Sequence, residues 1–202
     1  YNLVTQGPLG ATDADFVSEK FHDIYNAHLV NTVGNCASRV TAMIEKYFDG
    51  VLPSEFDGET RLEIGGIDWP AKCKAAAEKS RLSMEQFEIA QSVEAAMELI
   101  RGVDLFINDT APFKLAKDES KLGDLGAILY QCLEVLRIAL LVLEPVIPSK
   151  SQAFYDAIGI GDQPAKSLEE ATKWGGLQAG SAVSKIALFP RVDKHQEQFT
   201  QG

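Results

Sequence analysis

The chain has 202 residues, of which 46% are hydrophobic and 24% charged, and its formal net charge is −10 at pH 7. This length and composition are typical of one large soluble globular domain with a substantial buried core. The acidic excess excludes a general clamp on a phosphate backbone, because non-specific affinity for nucleic acid depends on dense Lys and Arg. Any RNA binding must come from base stacking and hydrogen bonds at a local site.

The cysteines and the start of the chain indicate its compartment. The three cysteines lack a C-x-x-C pairing, which argues against a disulfide framework or a zinc site and favours the reducing cytoplasm. No apolar run reaches membrane-spanning length and no signal peptide opens the sequence, so we expect no membrane contact. The sequence begins at Tyr1 rather than methionine, and we expect a piece of a longer protein.

The first predicted elements are a turn-rich lead-in over residues 1–11, with at most a short strand at its start, and then a long helix. From Phe16 to Phe48 there is no proline, and apolar residues from Phe21 onward recur every third or fourth position. This spacing predicts one amphipathic helix, or two in line, ended by Gly50.

One face of this helix carries a polar row. Asn31, Asn35 and Arg39 are four positions apart, so they lie one helical turn above another. Two amides and a guanidinium offer paired hydrogen-bonding groups in fixed planes, which match the edges of nucleic-acid bases. A solvated helix face has the same pattern, because amides are common on surfaces. These residues alone leave both interpretations open.

The middle of the chain predicts a polar connecting loop over residues 51–66 and two helices. Asp68 is the predicted N-cap of the first helix, which runs to about Lys79. The capping-box pattern at Ser83 predicts the start of the second, whose buried stripe includes Leu105.

The stretch N-D-T-A-P-F-K-L-A-K-D at 108–118 interrupts this helical pattern. Asp109 or Thr110 is the predicted N-cap of a new helix that has Pro112 in its first turn. The aromatic Phe113 follows, with two lysines close by, so its ring could stack on a base while the cations hold phosphates. The alternative is a core aromatic that staples two helices together.

The second half predicts a bundle centre and a loop-rich end. A strongly apolar helix through Leu125 to Leu143 is predicted at the centre, and Pro148 opens a short helix that ends near Ile158. Residues 161–202 form a C-terminal extension with an extended piece over Lys185 to Val192 that packs back on the bundle. Its tail is predicted to fray.

The sequence contains no recognisable catalytic or metal site. Its three histidines are not spaced as a ligand set, and the motifs G-x-S-x-G, G-x-x-x-x-G-K, G-x-G-x-x-G and H-E-x-x-H do not occur. We therefore expect a binding module without catalytic residues.

Ordered sequence blocks point to a family. The blocks are N-T-V-G-N-C-A-S-R at 31–39, A-M-I-E-K-Y-F-D-G at 42–50, the 108–118 stretch, and A-L-F-P-R-V-D at 187–193. Together they resemble, in order and spacing, the anticodon-binding bundle of methionyl-tRNA synthetase over essentially the whole chain. The resemblance implies an all-α fold, an antiparallel helical bundle of the class I aminoacyl-tRNA synthetase type over residues 12–160, with a short extended C-terminal segment.

The resemblance also implies a function and a site. The parent enzyme would be a methionine–tRNA ligase that uses ATP, and this part would recognise the CAU anticodon of tRNA(Met) without catalysing. Asn35 and Arg39 would contact anticodon bases, Phe113 would stack on the first base, and Asn31 and Asn108 would be their neighbours. The family usually has tryptophan at the position of Phe113, so we expect a smaller stacking face and a weaker grip.

The family's catalytic signatures H-I-G-H and K-M-S-K-S and its cysteine-ligated zinc knuckle do not occur in the sequence. We expect ATP and any zinc ion to belong to the missing catalytic half. The expected partners are the anticodon loop of tRNA(Met) and the catalytic domain of the same polypeptide, with no DNA. Two alternatives stay open: a helical scaffold or protein-interaction module without tRNA reading, suggested by the acidic balance and the missing tryptophan, and the equivalent bundle of a sister class I synthetase.

Overall fold

The structure is a computed structural model. It describes four ranges, residues 1–6, 18–52, 63–161 and 167–192. The start of the predicted long helix, most of the predicted 51–66 loop and the predicted frayed tail lie outside the described residues. Within the described ranges the chain is helical, and the β structure is limited to an isolated antiparallel bridge between Val51 and Ala182. The prediction of an all-α bundle is confirmed.

The N-terminal elements are a short helix at the start of the chain and a continuous run of helix over residues 18–48. Helix α1 is Asn2–Gln6, so the short strand predicted at the start of the lead-in is wrong. Helix α2 is Ser18–Ile24, a π-helical segment follows at Tyr25–Gly34, and α3 is Asn35–Phe48. The long helix is therefore present, but it contains a wide turn in which backbone bonds span five residues.

Helices α4 and α5 form a hairpin that differs from the predicted pair. Helix α4 is Trp69–Glu85, and the Asp68 side chain caps it by accepting from the Ala71 N–H at 3.0 Å. The predicted start at Ser83 is wrong, because this residue is buried inside α4 and the helix face still packs on α5, Ile89–Thr110.

A four-residue helix and the central helix follow. Helix α6 is Pro112–Leu115 and α7 is Leu122–Leu143. Helix α7 contacts α3, α4, α5 and the next helix, α8, at Pro148–Ala157. Among the described residues, the stretch from 119 to 143 has the length and composition of a membrane span, yet 94% of its most apolar window is buried inside the fold. It is the core helix of the bundle, as predicted.

A buried ion pair on α7 holds the chain that follows the short helix α9, Leu168–Ala171. The Arg137 guanidinium donates to both carboxylate oxygens of Glu134, at 2.9 and 2.7 Å. It also donates to the carbonyls of Ala171 and Lys173, at 2.8 Å each. Glu134 in turn accepts from the Gly176 N–H at 2.9 Å. Both charges thus find partners, and the loop is fixed to the bundle centre.

The last described segment, residues 181–192, has no regular structure and lies across α3 and the π-helical segment. The Ile186 N–H donates to Thr41 Oγ1 at 3.3 Å, and the Tyr25 hydroxyl donates to the Pro190 carbonyl at 2.9 Å. The Phe189 ring packs so closely on the π-helical segment that a Cβ at Gly34 would lie 3.3 Å from it, inside ordinary van der Waals contact.

Candidate functional site

Arg39 forms the junction between α3 and the C-terminal half of α5. Its Nη1 donates to Asp104 Oδ1 at 2.7 Å, and its Nη2 donates to Asn108 Oδ1 at 3.3 Å. The side chains of Arg39 and Asp104 are 35% and 24% exposed. The guanidinium is therefore fixed between two helices while part of it still faces solvent.

The helix contact one turn earlier explains why these groups meet. Cys36 is fully buried and its thiol donates to the Ile100 carbonyl at 3.8 Å. Cys36 precedes Arg39 by about one turn, and Ile100 precedes Asp104 by about one turn. The buried contact thus sets the register in which the arginine reaches the carboxylate.

The electrostatics of this junction follow from its partial burial. Burial raises the pKa of the Asp104 carboxyl above its ordinary value, and the adjacent Arg39 guanidinium opposes the rise. Burial also raises the pKa of the Cys36 thiol well above its usual value, and the charge of Asp104 adds to this effect. The thiol is therefore neutral, and Arg39 is the cation that faces the carboxylate.

Asn35 stands one turn before Arg39, at the start of α3, and is exposed. Its backbone N–H donates to the carbonyls of Val30 and Thr32, which joins the π-helical segment to α3. Among the described residues its side-chain amide has no hydrogen-bond partner. The amide is thus available to a ligand beside the guanidinium.

Asn31 is also exposed, but its side chain is engaged. Its side-chain oxygen Oδ1 accepts from Arg191 Nη2 at 3.0 Å. Arg191 lies in the last sequence block, where no site residue was predicted. The polar row therefore divides into an upper part tied to the C-terminal segment and a lower part tied to α5.

The α5–α6 turn is built differently from the prediction. The Thr110 hydroxyl donates back to the Phe106 carbonyl at 2.6 Å, within α5. Ala111, with φ of 45°, occupies the N-cap position of α6 without a side-chain cap, and Pro112 is the first helical residue. The predicted N-cap at Asp109 or Thr110 is wrong, because α5 continues through both residues, while the predicted place of the proline is right.

Phe113 is on the surface. It is 49% exposed, so the alternative of a core aromatic is wrong. In the part of the chain that the structure describes, its ring has no aromatic or cation–π partner, and Lys114 and Lys117 beside it are exposed. Leu105, predicted in the buried stripe of α5, is exposed as well. The end of α5 thus presents apolar surface next to the polar junction.

The structure brings some predicted residues together and leaves others separate. Arg39 and Asn108 are in contact, and Asn35 is on the same helix face as Arg39. Asn31 contacts the C-terminal segment, and Phe113 is half-exposed and has no ring or cation–π contact with these side chains among the described residues. Asp104 was missed, although its position four residues before Asn108 on one helix face was a readable signal.

The surface contains no metal centre within the described ranges, where no group of three or more His, Cys, Asp and Glu side chains could hold an ion. The partly exposed Arg39 and the exposed amide of Asn35 are instead suited to hydrogen bonding with a planar ligand, and the half-exposed ring of Phe113 is suited to stacking.

The chain has relatives among known proteins both in sequence and in fold. No family model matches the chain. It is 36% identical over 191 residues to the methionine–tRNA ligase of Streptomyces coelicolor, covering 90% of this chain and 35% of that protein. It is 33% identical over 198 residues to that of Caldanaerobacter subterraneus, covering 98% and 30%.

Solved structures agree with these relatives. The apo methionyl-tRNA synthetase of Mycobacterium tuberculosis superposes with a TM-score of 0.78 at 24% identity, covering 90% of this chain and 36% of that one. The same enzyme bound by methionyl-adenylate gives a TM-score of 0.75 at 25% identity, covering 88% and 34%. The likeness to the apo enzyme, at 24% identity, shows that the fold is shared.

These findings identify the chain as part of a class I aminoacyl-tRNA synthetase. Within that class, it belongs to the methionyl-tRNA synthetase family. It spans about a third of the length of the curated relatives that it matches and corresponds to their C-terminal part.

Proposed function

We propose that this chain recognises the CAU anticodon of tRNA(Met) for a methionine–tRNA ligase, and that it binds without catalysing. The observation that carries the proposal is the exposed Asn35 beside the partly exposed Arg39, with the guanidinium fixed against α5 and the amide without a hydrogen-bond partner among the described residues. Such a pair is suited to hydrogen bonding with base edges. The family resemblance of the surrounding sequence blocks supports the same role.

The local site suits an acidic protein. Arg39 uses one N–H of each terminal nitrogen for Asp104 and Asn108, which leaves its other donors for a base. The half-exposed ring of Phe113 offers a stacking face worth roughly 1–3 kcal/mol per base. Because these interactions address bases rather than phosphates, they do not need a basic surface, which a net charge of −10 would not supply.

The chemistry of the parent enzyme is part of the proposal. Methionine would be joined to tRNA(Met) with ATP in a catalytic part of the protein, which would hold the nucleotide and any zinc ion. The methionyl-adenylate bound to the Mycobacterium tuberculosis enzyme supports an adenylate route in that relative. We place the enzyme in the cytoplasm, where the cysteine usage suits it.

The proposal is tested by titrating the full-length parent enzyme with an anticodon stem-loop that carries CAU or a scrambled loop. We expect a preference for CAU, and Arg39→Ala and Phe113→Ala should each weaken CAU binding by roughly 1–3 kcal/mol. Arg81→Ala is the matched control, because this arginine is exposed on α4 and pairs with Glu78 and Glu85.

Equal affinity for the two loops, with no effect of either site variant, would contradict the proposal. That result would favour the alternative of a helical scaffold or protein-interaction module.

A further inference from the structure

We propose that Asp104 is a positioning residue of the anticodon site, whose carboxylate fixes the Arg39 guanidinium in the orientation that receives a base. The inference rests on the proposed function and deepens it. Asp104 itself is not proposed to contact the RNA.

The two contacts of Arg39 are unequal. The bond to Asp104 is 2.7 Å and links opposite charges, whereas the bond to the neutral amide of Asn108 is 3.3 Å. Charge-assisted hydrogen bonds are shorter and roughly twice as strong as neutral ones. The carboxylate therefore decides where the guanidinium lies, and Asn108 limits its rotation.

Packing of α3 on α5 does not require this ion pair. The two helices also meet at the fully buried Cys36, whose thiol donates to the Ile100 carbonyl at 3.8 Å, and α3 packs on α7 as well. A partly buried ion pair is often no more stabilising than well-packed apolar groups of the same size. A carboxylate at this position is thus poorly explained by stability and well explained by the orientation of its partner.

Orientation has a direct effect on affinity. A free arginine side chain loses about 2 kcal/mol of rotamer entropy when it is fixed. Because Asp104 fixes Arg39 before RNA arrives, the complex avoids much of this loss, which is the general effect of preorganisation. Removing the carboxylate should therefore weaken CAU binding by up to about 30-fold.

The direction in which Asp104→Asn changes the affinity for RNA separates a positioning role from a general electrostatic one. Asp104→Asn removes a negative charge from a protein of net charge −10, and by charge alone this should strengthen binding to RNA. Loss of the positioning contact predicts weaker binding. Glu94→Gln is the matched control, because Glu94 is an exposed carboxylate on the same helix that pairs with Arg101.

The experiment measures CAU and scrambled stem-loop affinities for the full-length enzyme with Asp104→Asn, Asp104→Glu, Arg39→Ala and the double variant Arg39→Ala/Asp104→Asn. We expect weaker CAU binding for Asp104→Asn, partial recovery for Asp104→Glu, and no further loss in the double variant beyond Arg39→Ala. Glu94→Gln should leave CAU affinity unchanged or slightly higher. Thermal unfolding of each variant identifies any loss of the fold, and Asp104→Glu keeps the test valid if Asp104→Asn unfolds.

The possible failures are distinguishable. The positioning role is overturned, and the proposed function stands, if Arg39→Ala weakens CAU binding but Asp104→Asn does not. The same conclusion follows if Asp104→Asn weakens CAU binding as much in the Arg39→Ala background as in the wild type. If Arg39→Ala has no effect on CAU binding, the proposed site itself fails.

Discussion

At the scale of single residues, the important feature is a cation whose orientation is set by one carboxylate. Arg39 reaches from α3 to Asp104 on α5 and keeps part of its guanidinium in solvent. Burial makes the charged form of Asp104 costly, and the arginine only partly compensates. This balance has a measurable dependence on pH.

We expect the stability advantage of the wild type over Asp104→Asn to fall as pH rises from about 4 towards 7. The pKa of Asp104 is raised in the folded state above its ordinary value of 3.8, so the folded protein binds the proton more tightly than the unfolded chain. Stability contributed by that proton is complete below 3.8 and is lost as pH rises through the raised pKa.

Urea unfolding of the two proteins across this range provides the measurement. Arg39 faces the carboxylate from α3, and the nearby Cys36 and Cys132 thiols stay neutral because burial raises the pKa of both. An advantage that instead grew with pH would mean that the ion pair outweighs burial.

At the scale of elements, the bundle depends on a second and more deeply buried ion pair. Glu134 and Arg137 lie on α7 and hold the loop after α9 through the carbonyls of Ala171 and Lys173. Both side chains are almost fully buried. A buried pair of this kind costs most when one partner is removed, because the other charge is left uncompensated.

We expect Arg137→Met to lower the free energy of unfolding by about 3–5 kcal/mol. Arg81→Met should change it by less than about 1 kcal/mol, because its ion pairs are exposed on α4. Urea denaturation followed by circular dichroism measures both. The double variant Glu134→Leu/Arg137→Met should be less destabilised than Arg137→Met alone, and the reverse order would show that the backbone contacts of the loop matter more than the lone charge.

Periodicity predicted most helices, because apolar spacing and prolines act locally along the chain. Asp68 was identified as a cap and α8 was placed within a residue or two of its ends. The break expected at Ser83 fails because the buried hydroxyls of Ser80 and Ser92 bond across the hairpin at 2.6 Å, and such tertiary packing overrides a capping pattern. The spacing of Asp104 and Asn108 places both on one face of α5, but the contact of that face with Arg39 was not predictable, since it depends on how α3 lies on α5.

At the scale of the whole molecule, the core closes over all three cysteines. Cys36, Cys73 and Cys132 are buried and free. Burial raises the pKa of Cys73 to about 12 and raises the pKa values of the other two. A thiol must be both ionised and accessible to react, so these three should be inert while the fold is intact.

We therefore expect little alkylation of these cysteines by iodoacetamide at pH 8 in the native protein. In about 8 M urea, which unfolds the chain, we expect full alkylation. Peptide mapping by mass spectrometry measures each site separately. Rapid native labelling of one cysteine would locate a part of the core that opens locally.

The wide turn at Tyr25–Gly34 has a consequence for the helix that precedes it. Each backbone bond there spans one residue more than in an α-helix, so counting by threes and fours does not carry across the segment. The sequence pattern assigns Phe21 to the interior, but Phe21 is 38% exposed and its neighbour His22 only 9%. The imidazole of His22 is thus more deeply buried than the phenyl ring that hydrophobic counting assigns to the interior.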